Sequence, residues 1–300
     1  QHHLRQPQTD QRLQRPTVMS RRRSTPKLTP VWLPWIRSKL AERLRGRLSG
    51  QSRLLQATPY QRMLSEAWNE ADSLAAAPLW WVSRDMTTLA VDTAQAGGLP
   101  DTDPPSPVGF ICFDGGLPLE LPDGMPPIAA VHWIIDGSRP GPGGRSWLIR
   151  PLLYTADHDA CARDGGLPLA PISAAPTAGL PQALGDILLA VWALSQEPRI
   201  CQAKPAQPST ADRLPASLQP EAKKVKMLVL RENLNRPGLP AEPGEAPRAW
   251  THRWIVRGFW RNQAYGPDHA LRRRQWIPPY VKGPADKPLI AKETVRIWRR

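Results

Sequence analysis

Apolar residues recur every three or four positions over residues 58–76, which predicts an amphipathic helix that packs on a core. A second helix is predicted over residues 86–96, capped by Asp85 and ended by two glycines. A third helix, over residues 182–196, is apolar on nearly every side, which indicates that it is buried. Residues 31–48 repeat leucine at four-residue intervals and predict a short basic helix that docks on the rest of the chain.

Short apolar runs bounded by Gly, Pro and Asp alternate with these helices and predict β-strands. The predicted strands are residues 79–83, 107–113, 127–136, 145–154 and 225–231. The Gly- and Pro-rich residues 137–144 are expected to join two of these strands as a hairpin. The sequence therefore predicts an α+β protein in which helices pack on an antiparallel sheet, with a basic β-rich module at the C-terminal end.

Composition divides the chain into four segments. Residues 1–50 are predicted to be a basic segment that is disordered apart from its short helix, and residues 51–200 to be the α+β core. Residues 201–249 are rich in proline and are interpreted as a linker with one strand, which would complete the sheet of the core. Residues 250–300, called the C-terminal module below, are basic and aromatic.

Charge is distributed unevenly along the chain. It carries 40 Lys and Arg against 26 Asp and Glu, a net charge of +14. Residues 1–50 and 250–300 each hold 12 of the cations, whereas the residues between them are mildly acidic. Basic ends attract polyanions, so nucleic acid or an acidic protein is the expected partner. Met19 precedes a run of three arginines and is interpreted as a natural start, so residues 1–18 are left out of the fold prediction.

Several classes of protein are not expected. No apolar run reaches the roughly 18 residues of a membrane-spanning helix. The helix predicted over residues 31–48 has only a short apolar face, so membrane-surface binding is the weaker alternative to docking and no membrane partner is predicted. Cys112, Cys161 and Cys201 are odd in number and lack CxxC spacing, which favours neither disulfides nor zinc and predicts a reducing, cytoplasmic location. Residues 157–161 are the densest group of metal-ligand residue types, but no second group converges on them, so we expect a solvated loop and no metal. No ATPase, Rossmann, hydrolase or zincin motif occurs, so no cofactor is expected.

The C-terminal module combines arginine with aromatic residues in a pattern typical of strands. Residues 252–261 alternate between two faces, residues 271–277 predict a hairpin partner for them, and residues 293–300 predict a third strand. We expect the tryptophan face to lie in the core and the arginine face in solvent. If the arginines instead pair with the acidic middle of the chain, the aromatic face becomes the exposed surface. The two faces carry Trp254 and Trp260, and Arg253, Arg257 and Arg261.

Arginine beside aromatic rings on a sheet suits RNA or another single strand. Guanidinium groups contact phosphates, and aromatic rings stack on unpaired bases. No helix-turn-helix, zinc-finger or basic-zipper pattern is present. The predicted function is therefore non-enzymatic nucleic-acid binding. The predicted contact residues are Arg253, Arg257, Arg261, Arg272, Arg273, Arg274, Trp276, Tyr280, Lys282, Arg296 and Trp298.

Two other functions remain open at this point. A basic surface also suits an acidic protein partner, which would make the chain a protein-binding inhibitor or adaptor. A metal-independent ribonuclease would use His252 and His269 as base and acid, with Arg or Lys on the phosphate. A histidine beside a basic strand is more often structural, so no catalytic residue is assigned.

Two blocks of sequence carry a resemblance to a known family. The tail WIVRGFWRNQ (254–263) and RQWIPPYVKGP (274–284), with the upstream block LWWVSRDM (79–86), resembles a family of actinobacterial phage, plasmid and other mobile-element proteins. The resemblance covers roughly residues 58–98 and the C-terminal module. The tail is also similar to that of a type V-A anti-CRISPR protein, which implies a role acting on a nuclease, its nascent chain or its message. Family members often have His where this chain has Phe259.

Overall fold

The structure of the protein is a computed structural model. It describes residues 26–52, 61–119, 121, 124–141, 144–172, 180–231, 251–284 and 286–290. The helices are α1 Leu33–Ser52, α2 Gln61–Ala76, α3 Arg84–Ala96, α4 His158–Arg163, α5 Leu180–Ser195 and α6 Gln219–Ala222. The strands are β1 Leu79–Val82, β2 Val108–Phe113, β3 Ala130–Gly141, β4 Gly144–Thr155, β5 Ala170–Pro171, β6 Cys201–Pro205, β7 Lys226–Leu230, β8 Arg253–Val256, β9 Phe259–Tyr265, β10 Leu271–Ile277, β11 Tyr280–Lys282 and β12 Leu289–Ile290.

The main sheet has seven strands in the order β5-β4-β3-β2-β1-β7-β6. This confirms the α+β class, but the sheet is mixed, because β1 is parallel to both β2 and β7 while the other pairs are antiparallel. The helix α3 lies between β1 and β2 in the chain, and such a crossover returns the second strand in the same direction as the first. The central strand β1 is buried along its whole length, as parallel strands covered by helices on both faces usually are.

Each face of the sheet carries its own core. Leu79 and Trp81 of β1 face α1 and α2, whereas Trp80 and Val82 face α3 and α5. This alternation is the two-residue period of a strand. Among the described residues, no helix is both long and apolar enough to cross a membrane.

Several element boundaries differ from the sequence prediction. The helix α1 runs over 20 residues, and its Leu33 and Ile36 are fully buried, so the basic N-terminal segment docks on the core through a helix longer than predicted. The predicted linker contains β6, which pairs with β7 at the edge of the sheet. The strands β3 and β4 extend into the predicted loop 137–144, with a register shift between Ile135 and Gly137.

The start and end of α3 are set by its flanking residues. Ser83, not Asp85, occupies the N-cap, because β1 ends at Val82 and leaves a single residue before the helix. Gly97 ends α3 with a positive φ of 70°, a conformation that favours glycine, as expected from the sequence. The proposed start of α2 at Thr58 lies outside the described residues.

The C-terminal module contradicts the prediction of one continuous strand over residues 252–261. The strand β8 belongs to a small sheet in the order β11-β8-β12, whereas β9 pairs with β10 and with no other described strand. The strand is interrupted at Gly258. A Cβ atom there would lie 2.9 Å from the Ile277 carbonyl oxygen, so only glycine fits at this position. The predicted partner strand at residues 271–277 is confirmed as β10. The predicted strand at residues 293–300 lies outside the described residues.

A buried histidine in the main sheet makes the stability of the protein depend on pH. His132 is fully buried, its Nε2 atom lies 3.3 Å from the Ser73 hydroxyl, and its Nδ1 atom has no hydrogen-bond partner in the described part of the chain. Burial, with the nearby Arg150 charge adding to it, lowers the pKa of His132 from 6.5 to about 4. Between these two pH values the unfolded chain binds a proton that the folded chain does not, so stability falls as the pH falls.

We expect His132→Gln to remove part of the acid sensitivity of the fold. By linkage, wild type loses up to about 3 kcal/mol through this residue between neutral pH and about pH 4. Glu70 acts in the opposite direction, because burial raises the pKa of its carboxyl, and it is present in both proteins. Urea unfolding of both proteins across this pH range measures the difference. Parallel stability profiles would show that His132 does not titrate in this way.

Candidate nucleic-acid interface

The hairpin β9–β10 projects two different faces. Tyr265 pairs with Leu271 and Phe259 with Ile277, and side chains of paired residues lie on the same side of an antiparallel sheet. Alternation from these pairs defines one face, called the outer face below. The outer face consists of Phe259, Arg261, Gln263, Tyr265, Leu271, Arg273, Gln275 and Ile277.

The outer face exposes large apolar and aromatic side chains to solvent. Phe259 is 52% exposed, Leu271 is 50% exposed and Tyr265 is 42% exposed. The two aromatic rings belong to residues six positions apart on β9, a span of about 20 Å along a strand. Arg273 lies 5.6 Å from the Tyr265 ring centre, within the range of a cation–π contact. Flat rings and guanidinium groups are therefore interleaved on one exposed surface.

The opposite face of the hairpin fixes it to the body of the protein. Trp276 is partly buried and packs against the main core. The Trp260 indole donates a hydrogen bond to the Gly98 carbonyl oxygen at 2.9 Å, just after the end of α3. Trp260 is nevertheless 38% exposed, and the Arg274 guanidinium lies 4.7 Å from its ring centre. The expectation that Trp260 is a core residue is therefore wrong.

Two of the predicted contact arginines are engaged with α3 instead. Arg253 forms an ion pair with Asp85 at 2.7 Å, and its side chain is only 16% exposed. Arg257 approaches Asp92 at 3.6 Å. The prediction that Arg253 faces solvent is therefore wrong. The alternative prediction, in which these arginines pair with the acidic middle of the chain, is correct for both Arg253 and Arg257. Their main effect is to dock the C-terminal module on α3.

The other cations among the described residues of the module have no acidic partner in the described part of the chain. Residues 251–290 hold eight Lys and Arg but only two acids, Asp268 and Asp286. After Arg253, Arg257 and the Lys287–Asp286 pair are set aside, five cations are left. These five are Arg261, Arg272, Arg273, Arg274 and Lys282. An excess of unpaired cations around exposed rings is an electrostatic footprint for a polyanion.

The other predicted residues are placed differently. Tyr280 is partly buried against the main core, with the Lys282 ammonium 5.6 Å from its ring centre, so its ring is less accessible than those of the outer face. Arg296 and Trp298 lie outside the described residues. Phe259 and Tyr265, the most exposed rings of the hairpin, were not among the predicted contacts. Alternation already places Phe259 on the arginine face of residues 252–261, so this signal was present in the sequence, whereas Tyr265 lies beyond that predicted strand.

The histidines and the 157–161 segment show no catalytic or metal-binding geometry in the described part of the chain. His269 lies in the hairpin turn and His252 precedes β8, and no described contact joins them. The expectation of a solvated loop at residues 157–161 is wrong, because residues 158–163 form α4 and Cys161 is buried. Asp157 caps this helix by accepting a hydrogen bond from the Ala160 N–H at 2.9 Å. No cluster of three or more His, Cys, Asp or Glu residues that could hold a metal ion occurs among the described residues.

Comparison of the chain with protein-family models, curated proteins and solved structures gives no match. The function is therefore argued from the geometry and charge of the module.

Proposed function

We propose that this protein binds RNA or another single-stranded nucleic acid through the outer face of the β9–β10 hairpin. The observation that carries the proposal is the exposure of Phe259 and Tyr265 beside cations without acidic partners in the described part of the chain. Unpaired bases can stack on such rings, whereas the bases of a duplex are already stacked on one another. The binding is non-enzymatic.

Stacking and charge contribute separately to this binding. Each base stacked on an aromatic side chain contributes about 1–3 kcal/mol. Each neutralised phosphate of a single strand changes the slope of log K against log salt by about −0.7, so four or five contacts predict a slope of about −3. The two contributions can therefore be tested independently, by removing rings or by removing charges.

The double variant Arg261→Ala/Arg273→Ala is expected to bind a single-stranded oligonucleotide more weakly and with a flatter salt dependence. Two lost phosphate contacts reduce the magnitude of the slope by about 1.4. Fluorescence anisotropy with a 5′-hydroxyl oligonucleotide at several salt concentrations measures this. The matched control is Arg139→Ala/Arg163→Ala, which removes the same charge from exposed positions elsewhere in the chain.

Equal slopes for the two double variants would show that the attraction comes from net charge alone and would contradict the proposed surface. If the affinity of the wild-type protein for the oligonucleotide does not depend on salt, phosphate contacts do not contribute to binding. In that case the basic surface is better explained by an acidic protein partner. Such a partner would co-purify with the tagged protein after nuclease treatment.

His252→Ala and His269→Ala are expected to leave binding unchanged, because the outer face contains neither residue. We also expect the purified wild-type protein to leave RNA intact in the presence of EDTA. Gel analysis of a labelled RNA after prolonged incubation tests this. If the wild-type protein cleaves RNA in EDTA and either substitution abolishes the cleavage, the protein is a metal-independent ribonuclease and the proposal is wrong.

We place this activity in a reducing cytosol, in the setting of a phage or other mobile element. All three cysteines are buried and free, which suits a reducing compartment. The resemblance of the tail to mobile-element proteins supports the setting.

The structure explains why glycine occupies two positions of that tail. Gly258 lies where the strand is interrupted, and a Cβ atom at Gly283 would lie 2.6 Å from the His252 carbonyl oxygen.

A further inference from the structure

A polar cleft lies where the parallel strands of the main sheet end. Its volume is about 390 Å³, within the range of about 300–1,000 Å³ typical of small-molecule sites. It is separate from the hairpin, since none of its lining residues belongs to β9 or β10. Its charged and hydroxyl-bearing lining residues are Ser83, Arg84, Asp85, Asp114, Arg231 and Arg253.

The position of the cleft follows from the topology. Ser83 follows β1, Asp114 follows β2 and Arg231 follows β7, and these are the three strands that run parallel. In open sheets with parallel strands, ligands bind outside the carboxyl ends of the strands. The 13-residue helix α3 begins at the same place, so the partial positive charge and unbonded N–H groups of its first turn lie at the cleft.

The first turn of α3 is left without a side-chain cap at the cleft. Ser83 occupies the N-cap and lines the cleft, but its side chain makes no capping hydrogen bond. Its Oγ atom is buried and has no hydrogen-bond partner in the described part of the chain, so it faces away from the open part of the cleft. The first N–H groups of α3 therefore have no partner from Ser83 and can donate to a ligand in the cleft.

Three guanidinium groups approach the cleft from three different elements. Arg253 comes from β8 and is held by its ion pair with Asp85. The Arg84 guanidinium lies over the turn after β2, within 3.1 Å of where a Cβ atom of Gly115 would be. Neither Arg84 nor Arg231 forms an ion pair with a described residue. The planar fork of arginine matches the oxygens of a phosphate group.

We propose that this cleft binds a phosphomonoester, with Arg84 and Arg231 as its ligands. The terminal oxygens of a phosphomonoester can accept from both guanidinium groups and from the first N–H groups of α3. Asp114 remains available to accept from a sugar hydroxyl of the same ligand. A cleft of about 390 Å³ accommodates one nucleotide but not several, so a mononucleotide and the 5′ end of a strand are the two carriers that the test compares. This site is additional to the proposed hairpin surface and does not depend on it.

Calorimetry of the full chain with adenosine monophosphate, inorganic phosphate and adenosine tests the proposal. The two phosphates are expected to bind saturably and adenosine is not. Arg84→Ala and Arg231→Ala are each expected to weaken phosphate binding by about tenfold or more, the usual effect of losing a charge-assisted hydrogen bond. Arg163→Ala, an exposed arginine outside the cleft, is the matched control and is expected to bind like wild type.

Competition by short strands then identifies the source of the phosphate. A 5′-phosphorylated trinucleotide that displaces adenosine monophosphate, when its 5′-hydroxyl counterpart does not, indicates a strand end. Failure of both to compete indicates a mononucleotide. No saturable phosphate binding, equal binding of adenosine, or an equal loss in Arg163→Ala would overturn the proposal. We expect Arg84→Ala to bind the 5′-hydroxyl oligonucleotide of the hairpin test like wild type. We expect Arg261→Ala/Arg273→Ala to bind adenosine monophosphate like wild type. The proposals for the cleft and for the outer face can therefore be rejected independently of each other.

Discussion

Trp133→Ala is expected to lower the free energy of unfolding by about 3–5 kcal/mol, the usual cost of replacing a buried tryptophan by alanine. Trp133 has no exposed surface, and its ring lies between Trp80 at 5.0 Å and Trp192 at 5.5 Å. A Cβ atom at Gly109 would lie 2.2 Å from the same ring, so this part of the core is fitted closely around it. Because a domain is held together by about 5–15 kcal/mol, the loss is a large fraction of the total.

Trp260→Ala is the matched comparison for this prediction. Trp260 is 38% exposed, so its replacement is expected to cost about 1 kcal/mol, mainly through the hydrogen bond to Gly98. Denaturant unfolding of both variants, followed by circular dichroism, measures the two losses. Equal losses would show that the hairpin contributes as much to the fold as the tryptophan core does.

Local patterns in the sequence were sufficient to predict most elements, because helix and strand periods are properties of neighbouring residues. The apolar stripe of α2 and the nearly all-apolar surface of α5 are examples. The parallel pairing of β1 was not predictable in the same way, because it depends on how the chain returns after α3 and on a strand more than a hundred residues later. The cleft at the ends of these strands was missed for the same reason.

The candidate site was only partly predictable. Residues 252–261 alternate as a strand would, but alternation cannot show that Gly258 lies against a neighbouring backbone and breaks the strand. One signal was present in the sequence. Asp85, the predicted cap, and Asp92 are seven residues apart, or about two helical turns, so both lie on one side of the predicted helix and suit pairing with Arg253 and Arg257. Sequence alone could not bring the two pairs together across the chain.

Phe259→Ala/Tyr265→Ala is expected to weaken binding of a single-stranded oligonucleotide by about 2–6 kcal/mol, since each ring that stacks on a base contributes about 1–3 kcal/mol. The salt dependence is expected to stay as in wild type, because no charge is removed. Both side chains are more than 40% exposed, so the melting temperature should change little. Anisotropy at several salt concentrations gives the affinity and the slope from one set of titrations.

Leu271→Ala is the matched control for the two rings. Leu271 lies on the same outer face and is 50% exposed, but it has no π face on which a base can stack. We therefore expect it to bind like wild type, whereas Phe259→His should retain much of the affinity, because an imidazole also stacks on bases. If Leu271→Ala weakens binding as much as the loss of both rings, the surface acts through apolar contact, and a protein partner explains it better than a nucleic acid does. If the ring variants bind like wild type while the arginine variants do not, binding is electrostatic only, and the stacking role of the outer face is wrong.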